Sequence, residues 1–172
     1  MHEYAAPGDR ILAPHRLGVM PNITVARHLH DLRTATGLLA DFNQEFGDPV
    51  LDPDWFAAHL HRLVQDGTAG VLMIGEPETG VAVLRFRTST WADAPETYLA
   101  EFYVAPAQRG QGLGTALLQA VLDHARERGC TYIDLNTTQA DEAACHLYEK
   151  FGFDCHEGRG EGPLAIYYEL DL

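Results

Sequence analysis

The 172-residue chain has the length of one domain, and its 46% hydrophobic and 9% aromatic content predicts a globular protein with a substantial core. Acidic residues outnumber Lys and Arg by 25 to 12, and the resulting formal charge of −13 argues against nucleic-acid binding because it repels phosphate backbones. No apolar run approaches the ~18 residues of a membrane helix, so we expect a cytoplasmic protein without a membrane partner.

The start of the chain is rich in proline and glycine, and the cysteines and histidines of the chain are candidate metal ligands. The first 22 residues contain three prolines and two glycines, so we predict a flexible leader over residues 1–22 and one domain over residues 23–172. The cysteines have no CxxC spacing, which indicates reduced structural thiols, and two HxH pairs have no acidic or cysteine partner nearby. We therefore expect no metal site; the residues concerned are Cys130, Cys145, Cys155, His28, His30, His59 and His61.

The first half of the domain predicts a strand, two helices and a strand hairpin. Residues 23–28 form the strand, and Asp31 can cap a helix with Leu32, Leu39, Phe42 and Phe46 on one side. Asp52 followed by Pro53 starts the second helix, whose apolar stripe is Phe56, Leu60, Leu63 and Val64. Residues 71–74 and 81–86 are short apolar runs, and the segment EPETG between them indicates a turn.

The second half predicts alternating strands and helices. A strand over residues 97–104 precedes the clearest helix of the chain, which ends at Gly129. A strand over 131–137, a helix over 140–150 and strands over 153–156 and 164–170 follow. The order β-α-α-β-β-β-α-β-α-β-β predicts an α/β fold with a central sheet of mixed direction flanked by helices. The clearest helix has the apolar face Leu113, Leu117, Leu118, Val121, Leu122 and Ala125.

A glycine-rich turn lies between the strand over 97–104 and this helix. Gly110, Gly112 and Gly114 allow a ligand to approach the backbone closely, because no Cβ intervenes. The first turn of the helix offers unpaired N–H groups and the positive end of its dipole. A pyrophosphate suits this position, and Arg109 could add a charge-assisted contact.

Three alternatives compete for the turn on its residues alone. A Walker loop requires a Gly-Lys-Ser/Thr ending, and the segment has no lysine. A dinucleotide fingerprint requires a third glycine where Thr115 stands, and it normally follows the first strand, although Asp134 lies where a ribose-binding acid would. The third alternative is a turn without any ligand, in which three glycines would cost helix stability without a functional reason. The residues favour a ligand.

Two motifs resemble those of the GNAT acetyltransferase superfamily. The segment RGQGLG, from Arg109 to Gly114, fits the signature R/Q-x-x-G-x-G/A. The segment ACHLYEKFGF, from Ala144 to Phe153, is similar to the second hallmark, A-x-x-LYEK-x-GF. Motif order, motif spacing and element order from about residue 23 onward all match, so the resemblance covers nearly the whole chain.

This resemblance implies a splayed sheet in which the pantetheine of acetyl-coenzyme A (acetyl-CoA) lies like an extra strand. Backbone groups of Phe102, Tyr103 and Val104 would hold the thioester arm. Where the family often has an Asn that can donate to pantetheine, this chain has Asp141, which when ionised only accepts, so Asp141 is either a cofactor contact or a helix cap. The turn residues expected at the pyrophosphate are Arg109, Gly110, Gln111, Gly112, Leu113, Gly114 and Thr115.

Acetyl transfer to an amine requires a neutral nucleophile and a proton for the departing thiolate. Tyr148 resembles the family's general acid, and its ordinary pKa near ~10 suits a thiol near ~8.5; the alternative is a packing aromatic. Glu101 interrupts an apolar strand and is the leading base candidate, unless it is exposed or paired with Arg85 or Arg87. Glu96 is a weaker substitute, and the base could act through water.

The acceptor is expected to be an amine of a small cationic molecule, in a pocket formed by the first two helices and the loop near Trp91. The segments FNQEFGD and LAEFYV are loosely similar to aminoglycoside and polyamine acetyltransferases, whose acceptors are polycations. Protein N-termini or lysines are alternative acceptors, a non-catalytic CoA-binding sensor is an alternative function, and a homodimer is implied by the resemblance alone. Acids that gather near the predicted pocket are Asp41, Glu45, Asp48, Asp52 and Asp54.

Overall fold

The computed structural model describes residues 21–158 and 160–171. The predicted leader over residues 1–22 therefore lies almost entirely outside the described residues. Within them, no helix combines the length and the apolar character needed to cross a membrane.

The described part of the chain forms a five-stranded sheet with helices on both faces. The strands lie in sequence order; the first four are antiparallel neighbours, and the last two are parallel. This arrangement confirms the predicted α/β fold with a mixed sheet. The elements are β1 (Ile23–Val25), α1 (Leu29–Phe46), α2 (Pro53–Gln65), β2 (Ala69–Gly75), β3 (Glu78–Thr88), β4 (Pro95–Val104), α3 (Leu113–Glu127), β5 (Ile133–Asp134) and α4 (Glu142–Lys150).

Two apolar cores lie on opposite faces of the sheet because successive strand residues point to opposite sides. In β2, Val71 and Met73 pack against α1 and α2, whereas Leu72 and Ile74 face α3 and α4. Each face buries a helix stripe of the kind that the sequence predicts. Helices α1 and α2 are therefore separated by the sheet from the helix that follows the glycine turn.

Local sequence signals explain where the first two helices begin. Asp52 accepts a hydrogen bond from the Trp55 amide (2.8 Å), and Pro53 occupies the first helical position of α2, as predicted. The prediction for α1 was wrong in position, since the N-cap is His28 and the helix begins three residues earlier than expected. Asp31 instead accepts bonds from the Arg27 and His28 amides, so it ties down the preceding turn.

A β-bulge divides β4 at Ala100. Glu101 is opposite Val83, whereas Leu99 is opposite Leu84, so one extra residue lies between the two pairs. As a result, Leu99 faces the α3 core, while Glu101 is on the same face as Tyr103, toward α1 and α2. The bulge therefore decides which side of the sheet receives the Glu101 carboxylate.

The C-terminal part differs most from the prediction. The expected strands over 153–156 and 164–170 are represented by a single bridge between His156 and Leu164. The strand expected over 131–137 is only two residues long, because β5 pairs with β4, in parallel, at Thr97 and Tyr98 alone. Periodicity in the sequence marks apolar runs, but it does not show whether a neighbouring edge is close enough to pair.

Candidate active site

The glycine turn presents an open, uncapped helix N-terminus. Gly110 and Gly112 have φ angles of 75° and 84°, a conformation that favours glycine. A Cβ added at either position would meet nothing within 4 Å, so both backbones face open space. Among the residues that the structure describes, no side chain caps α3, which leaves the amides of its first turn available to an anion.

Gly114 has a different role, which is packing. A Cβ added there would approach a Leu147 methyl at 3.5 Å and a Phe102 ring carbon at 3.9 Å. These are ordinary van der Waals distances, so the position brings α3 close to α4 and β4 without requiring glycine.

Arg109 is engaged on the side of the turn that faces α1. Its guanidinium donates two bonds of 2.7 Å to the carboxylate of Glu45, and its Nε donates to the Val104 carbonyl at 2.9 Å. The same group lies 5.7 Å from the centre of the Tyr103 ring. The ion pair lowers the pKa of Glu45, chiefly through the Arg109 hydrogen bonds. A pyrophosphate contact by Arg109 would have to compete with this bidentate pair.

The sheet opens next to the turn. Of the ten residues of β4, only Thr97 and Tyr98 pair with β5, at Ile133 and Asp134. The rest of β4 has no strand partner on this side among the described residues. The gap between β4 and β5 is therefore a splay of the kind that the resemblance implies.

The register decides which backbone groups face the gap. The Ala105 amide donates to the Thr79 carbonyl of the β3 side (2.8 Å), and hydrogen-bonding directions alternate along an antiparallel pair. The polar backbone groups of Tyr103 therefore point toward β3, and those of Phe102 and Val104 point toward the gap. Of the three residues expected at the thioester arm, Phe102 and Val104 have backbone groups that face the gap, whereas those of Tyr103 face β3.

Tyr148 lies on the α3 side of β4. Its side chain is 8% exposed, and its ring makes edge contacts with Phe102 and Phe153 at centroid distances of 6.2 and 5.7 Å. Burial raises the pKa of Tyr148 to about 12, with a smaller contribution from the charge of Asp141. The phenol is therefore protonated near neutral pH, and its O–H can donate a hydrogen bond.

Asp141 is the N-cap of α4. Its carboxylate accepts a hydrogen bond of 3.0 Å from the Ala144 amide, which is the capping alternative that the sequence left open. This bond uses one carboxylate oxygen for the helix. A direct contact with the cofactor remains a prediction.

Glu101 borders a cavity of about 330 Å³ between α1, α2 and β4. The carboxylate has no hydrogen bond or ion pair among the described residues, and burial raises its pKa. Neither of the arginines considered as partners is bound to it; Arg87 binds Glu96 (2.8 Å) and Asp134 (2.9 Å) instead. Glu101 is thus a partly buried, unpaired carboxylate next to an open cavity.

The other two acids that the sequence suggested for a functional role, Glu96 and Asp134, are both bound by Arg87. The Arg87 bond lowers the pKa of Glu96, which makes Glu96 a poor base. The same arginine holds Asp134, the candidate ribose-binding acid of the dinucleotide alternative. That alternative is further weakened because the turn follows the fourth strand of the sheet.

Most acids of the first two helices do not face the cavity. Glu45 is bound by Arg109, Asp52 caps α2, and Asp54 lies 3.4 Å from Arg33. Trp91 was expected near the acceptor, but its side chain is 95% exposed and does not line this cavity.

Comparison with known proteins decides the family. The Acetyltransferase (GNAT) family matches residues 35–153, more than half of the 172 residues. The chain belongs to this acetyltransferase (GNAT) family. The present chain is similar to a protein from Arthrobacter sp. FB24 whose crystal structure is assigned as that of an acetyltransferase. The two are 38% identical with a TM-score of 0.75, and the similarity covers 92% of the present chain and 99% of the Arthrobacter chain.

Two relatives extend the comparison. YjgM of Escherichia coli K12, named an N-acetyltransferase, is 33% identical over 144 residues, which is 81% of the GNAT chain and 80% of YjgM. The thialysine N-epsilon-acetyltransferase of Mus musculus is 33% identical over 96 residues, 55% of each chain. The GNAT chain therefore spans about half the length of this second relative.

Sequence reasoning missed three residues near Glu101, namely Trp55, His59 and Tyr98. The indole of Trp55 and the ring of His59 line the cavity and stack at 5.1 Å with an angle of 8° between planes. Tyr98 donates a hydrogen bond to the Asn136 side chain across the β4–β5 junction. The signal for Trp55 was its place four residues before His59, one helical turn away, in a helix that the sequence had already assigned to the pocket.

Proposed function

We propose that this protein transfers the acetyl group of acetyl-CoA to an amine of a small cationic molecule. The observation that carries the proposal is the arrangement around β4. An open glycine turn and a splayed edge lie beside this strand, and a carboxylate of the same strand, which has no ion pair within the described part of the chain, faces a cavity. A cofactor held along β4 would bring its thioester close to an acceptor bound at Glu101.

The residues present fit acetyl-CoA. Open space at Gly110 and Gly112, and the free amides of Leu113, Gly114 and Thr115, suit a pyrophosphate. Backbone groups of Phe102 and Val104 suit an extended amide-containing arm, although Arg109 holds the Val104 carbonyl and would have to share it. When bound, acetyl-CoA supplies an activated acyl group.

The residues around β4 divide the proton transfers. Glu101 accepts a proton from the ammonium of the acceptor, directly or through water, and the neutral nitrogen attacks the acetyl carbonyl. A new N–C bond forms and the C–S bond breaks. The nitrogen loses its second proton as the C–S bond breaks; this proton passes through water to the departing sulfur, which Tyr148 stabilises with a hydrogen bond and which ends as a thiol. The balance is ammonium and acetyl thioester to acetamide, thiol and one proton.

A pKa of about 12 makes Tyr148 a weaker acid than a free phenol. Each pKa unit corresponds to about 1.4 kcal/mol, so complete transfer to a thiolate of ordinary basicity would be unfavourable. The same desolvation raises the basicity of a thiolate next to Tyr148, which reduces the mismatch. We therefore assign Tyr148 the role of stabilising the leaving sulfur by hydrogen bonding.

The small-amine acceptor is supported by the relatives and by charge. YjgM is named an N-acetyltransferase, and the mouse relative is named for an N-epsilon amine. The net charge of −13 attracts ammonium groups. A sensor without catalysis would need neither Glu101 nor Tyr148, and protein N-termini or lysines remain the second acceptor class.

The test combines binding and turnover. Acetyl-CoA at ~100 times its Kd should raise the free energy of unfolding by about 2.7 kcal/mol and the melting temperature by several degrees. NAD at the same concentration should leave the melting temperature unchanged. A panel of amines should then release thiol from acetyl-CoA. Binding of acetyl-CoA without thiol release by any amine, peptides included, would favour the sensor.

A further inference from the structure

The cavity at Glu101 has one carboxylate and otherwise mainly flat or apolar walls. Glu101 is the single acid of the described lining, and Asn43 and His59 are its other polar side chains; the remaining lining residues are Leu39, Leu51, Trp55 and Phe56. Its volume of about 330 Å³ is at the lower end of the ~300–1,000 Å³ typical of ligand pockets. The cavity therefore fits a small ligand better than a large polar one.

Apolar side chains continue from the cavity to the protein surface. Leu51 and Trp55 line it and are 45% and 53% exposed, and the nearby Val50 is 45% exposed in the connection between α1 and α2. The Trp55 indole is stacked on His59, and Arg62 contacts Nδ1 of that histidine at 3.3 Å. This stack provides a flat surface next to the mouth of the cavity.

The charges of a polycation would be poorly matched here. Beyond Glu101, the acids on α1 and α2 either bind Arg109, Arg33 or the helix end, or lie outside the lining. A second ammonium entering the cavity would lose water against leucine and aromatic walls and would meet no second carboxylate among the described lining residues. An aromatic ring there would instead gain apolar burial and stacking.

Building on the proposed acetyl transfer, we propose that the acceptor is a primary amine with a single positive charge on a flat, apolar body. Its nitrogen lies at Glu101, and its ring packs against Trp55. Trp55 is thus a specificity-determining residue. The proposed acceptor class therefore excludes polyamines and aminoglycosides.

A binding experiment can test the proposal without turnover. The chain has two tryptophans, so Trp91→Phe leaves Trp55 as the only indole. We expect phenethylamine to change its fluorescence saturably, with a Kd at least about tenfold below those of butylamine and spermidine. Glu101→Gln should weaken binding of both monoamines, since both lose the same carboxylate. Tightest binding of spermidine would overturn the inference.

Kinetic variants supply the matched control. Trp55→Ala should raise KM for phenethylamine about tenfold and leave KM for butylamine within twofold, and Trp55→Phe should restore most of the loss. Trp91→Ala should change KM for neither amine, because Trp91 does not line the cavity. Equal effects of Trp55→Ala on both amines, or preferred acetylation of spermidine, would refute the inference and leave acetyl transfer intact. Failure to acetylate any amine with acetyl-CoA bound would refute the proposed function itself.

Discussion

Glu101 occupies a position where ionisation opposes folding. Burial raises its pKa, so the folded state holds the proton more tightly than the unfolded chain. Its contribution to stability is therefore largest below the ordinary carboxyl pKa and is lost as pH rises through the raised value. Glu101→Gln should melt at a higher temperature than the wild type at pH 7–8, and the difference should vanish near pH 4.

Glu96, on the same strand, has a pKa that is shifted in the opposite direction. Its ion pair with Arg87 lowers its pKa, so its contribution is present above the ordinary pKa and is lost as pH falls. Glu96→Gln should therefore melt at a lower temperature than the wild type at neutral pH and converge with it in acid. The two pH-dependent melting series together check the assignment. A stabilising Glu96→Gln, or a destabilising Glu101→Gln at pH 7, would contradict the described environments.

Replacing Tyr148 by phenylalanine removes only the hydroxyl oxygen, so this variant distinguishes the packing of the ring from the chemistry of the hydroxyl. Tyr148→Phe keeps the ring contacts with Phe102 and Phe153, so acetyl-CoA should bind with nearly unchanged affinity. Loss of the hydrogen bond from the hydroxyl to the departing sulfur should lower kcat by roughly 10²–10³, the usual effect of removing one positioned hydrogen-bond donor. Tyr132→Phe, at a 50% exposed side chain, is the control and should change neither value. Normal turnover of Tyr148→Phe would make water the donor to sulfur.

At the scale of elements, two glycines of the turn differ in role: Gly112 has a backbone conformation that favours glycine, whereas Gly114 lies at a packing contact. Gly112 has a φ of 84°, and alanine there should cost about 1–2 kcal/mol, which lowers the melting temperature by roughly 2–8 °C. Gly114 has ordinary space for a Cβ, and alanine favours the helix by up to ~1 kcal/mol. Gly114→Ala should therefore be neutral or stabilising and retain acetyl-CoA binding, whereas Gly112→Ala should weaken it. Calorimetric melting measures the stability of each variant, and calorimetric titration measures its affinity for acetyl-CoA. Equal tolerance at the two positions would mean that backbone conformation does not shape the phosphate site.

Elements with local signals could be predicted, whereas features that depend on neighbours could not. The start of α2, the glycine turn and the mixed sheet follow from caps, periodicity and element order. The bulge at Ala100 depends on cross-strand register, so alternation alone would put Leu99 and Glu101 on one face. The bond between Arg109 and Glu45 joins residues 64 positions apart, and no local pattern indicates it. An apolar run near the C-terminus resembled a strand, although Tyr168 there is 84% exposed.

At the scale of the whole molecule, the charge of −13 acts over distance while individual acids are bound locally. Acids such as Glu45 and Asp54 are already paired with arginines, so they contribute less to direct recognition than their position in the sequence implies. The net negative field therefore comes mainly from acids without an ion pair among the described residues, such as Asp41 and Asp48. Capture of a cation should therefore depend on the summed field more than on any one contact.

This field predicts how salt affects the reaction. The Debye length falls from ~30 Å at 0.01 M to ~10 Å at 0.1 M and ~3 Å at 1 M ionic strength, so attraction of an ammonium by distant acids is screened. The KM for a singly charged amine should rise with salt, while kcat stays nearly constant, because the transfer occurs between groups already in contact. Asp41→Asn combined with Asp48→Asn should reduce the slope without moving the melting temperature much, since neither acid has an ion pair among the described residues. An aromatic amine with an uncharged amino group at the assay pH is the control and should show little change. A KM that is independent of salt for the charged amine would mean that local contacts, not the field, bring the acceptor to Glu101.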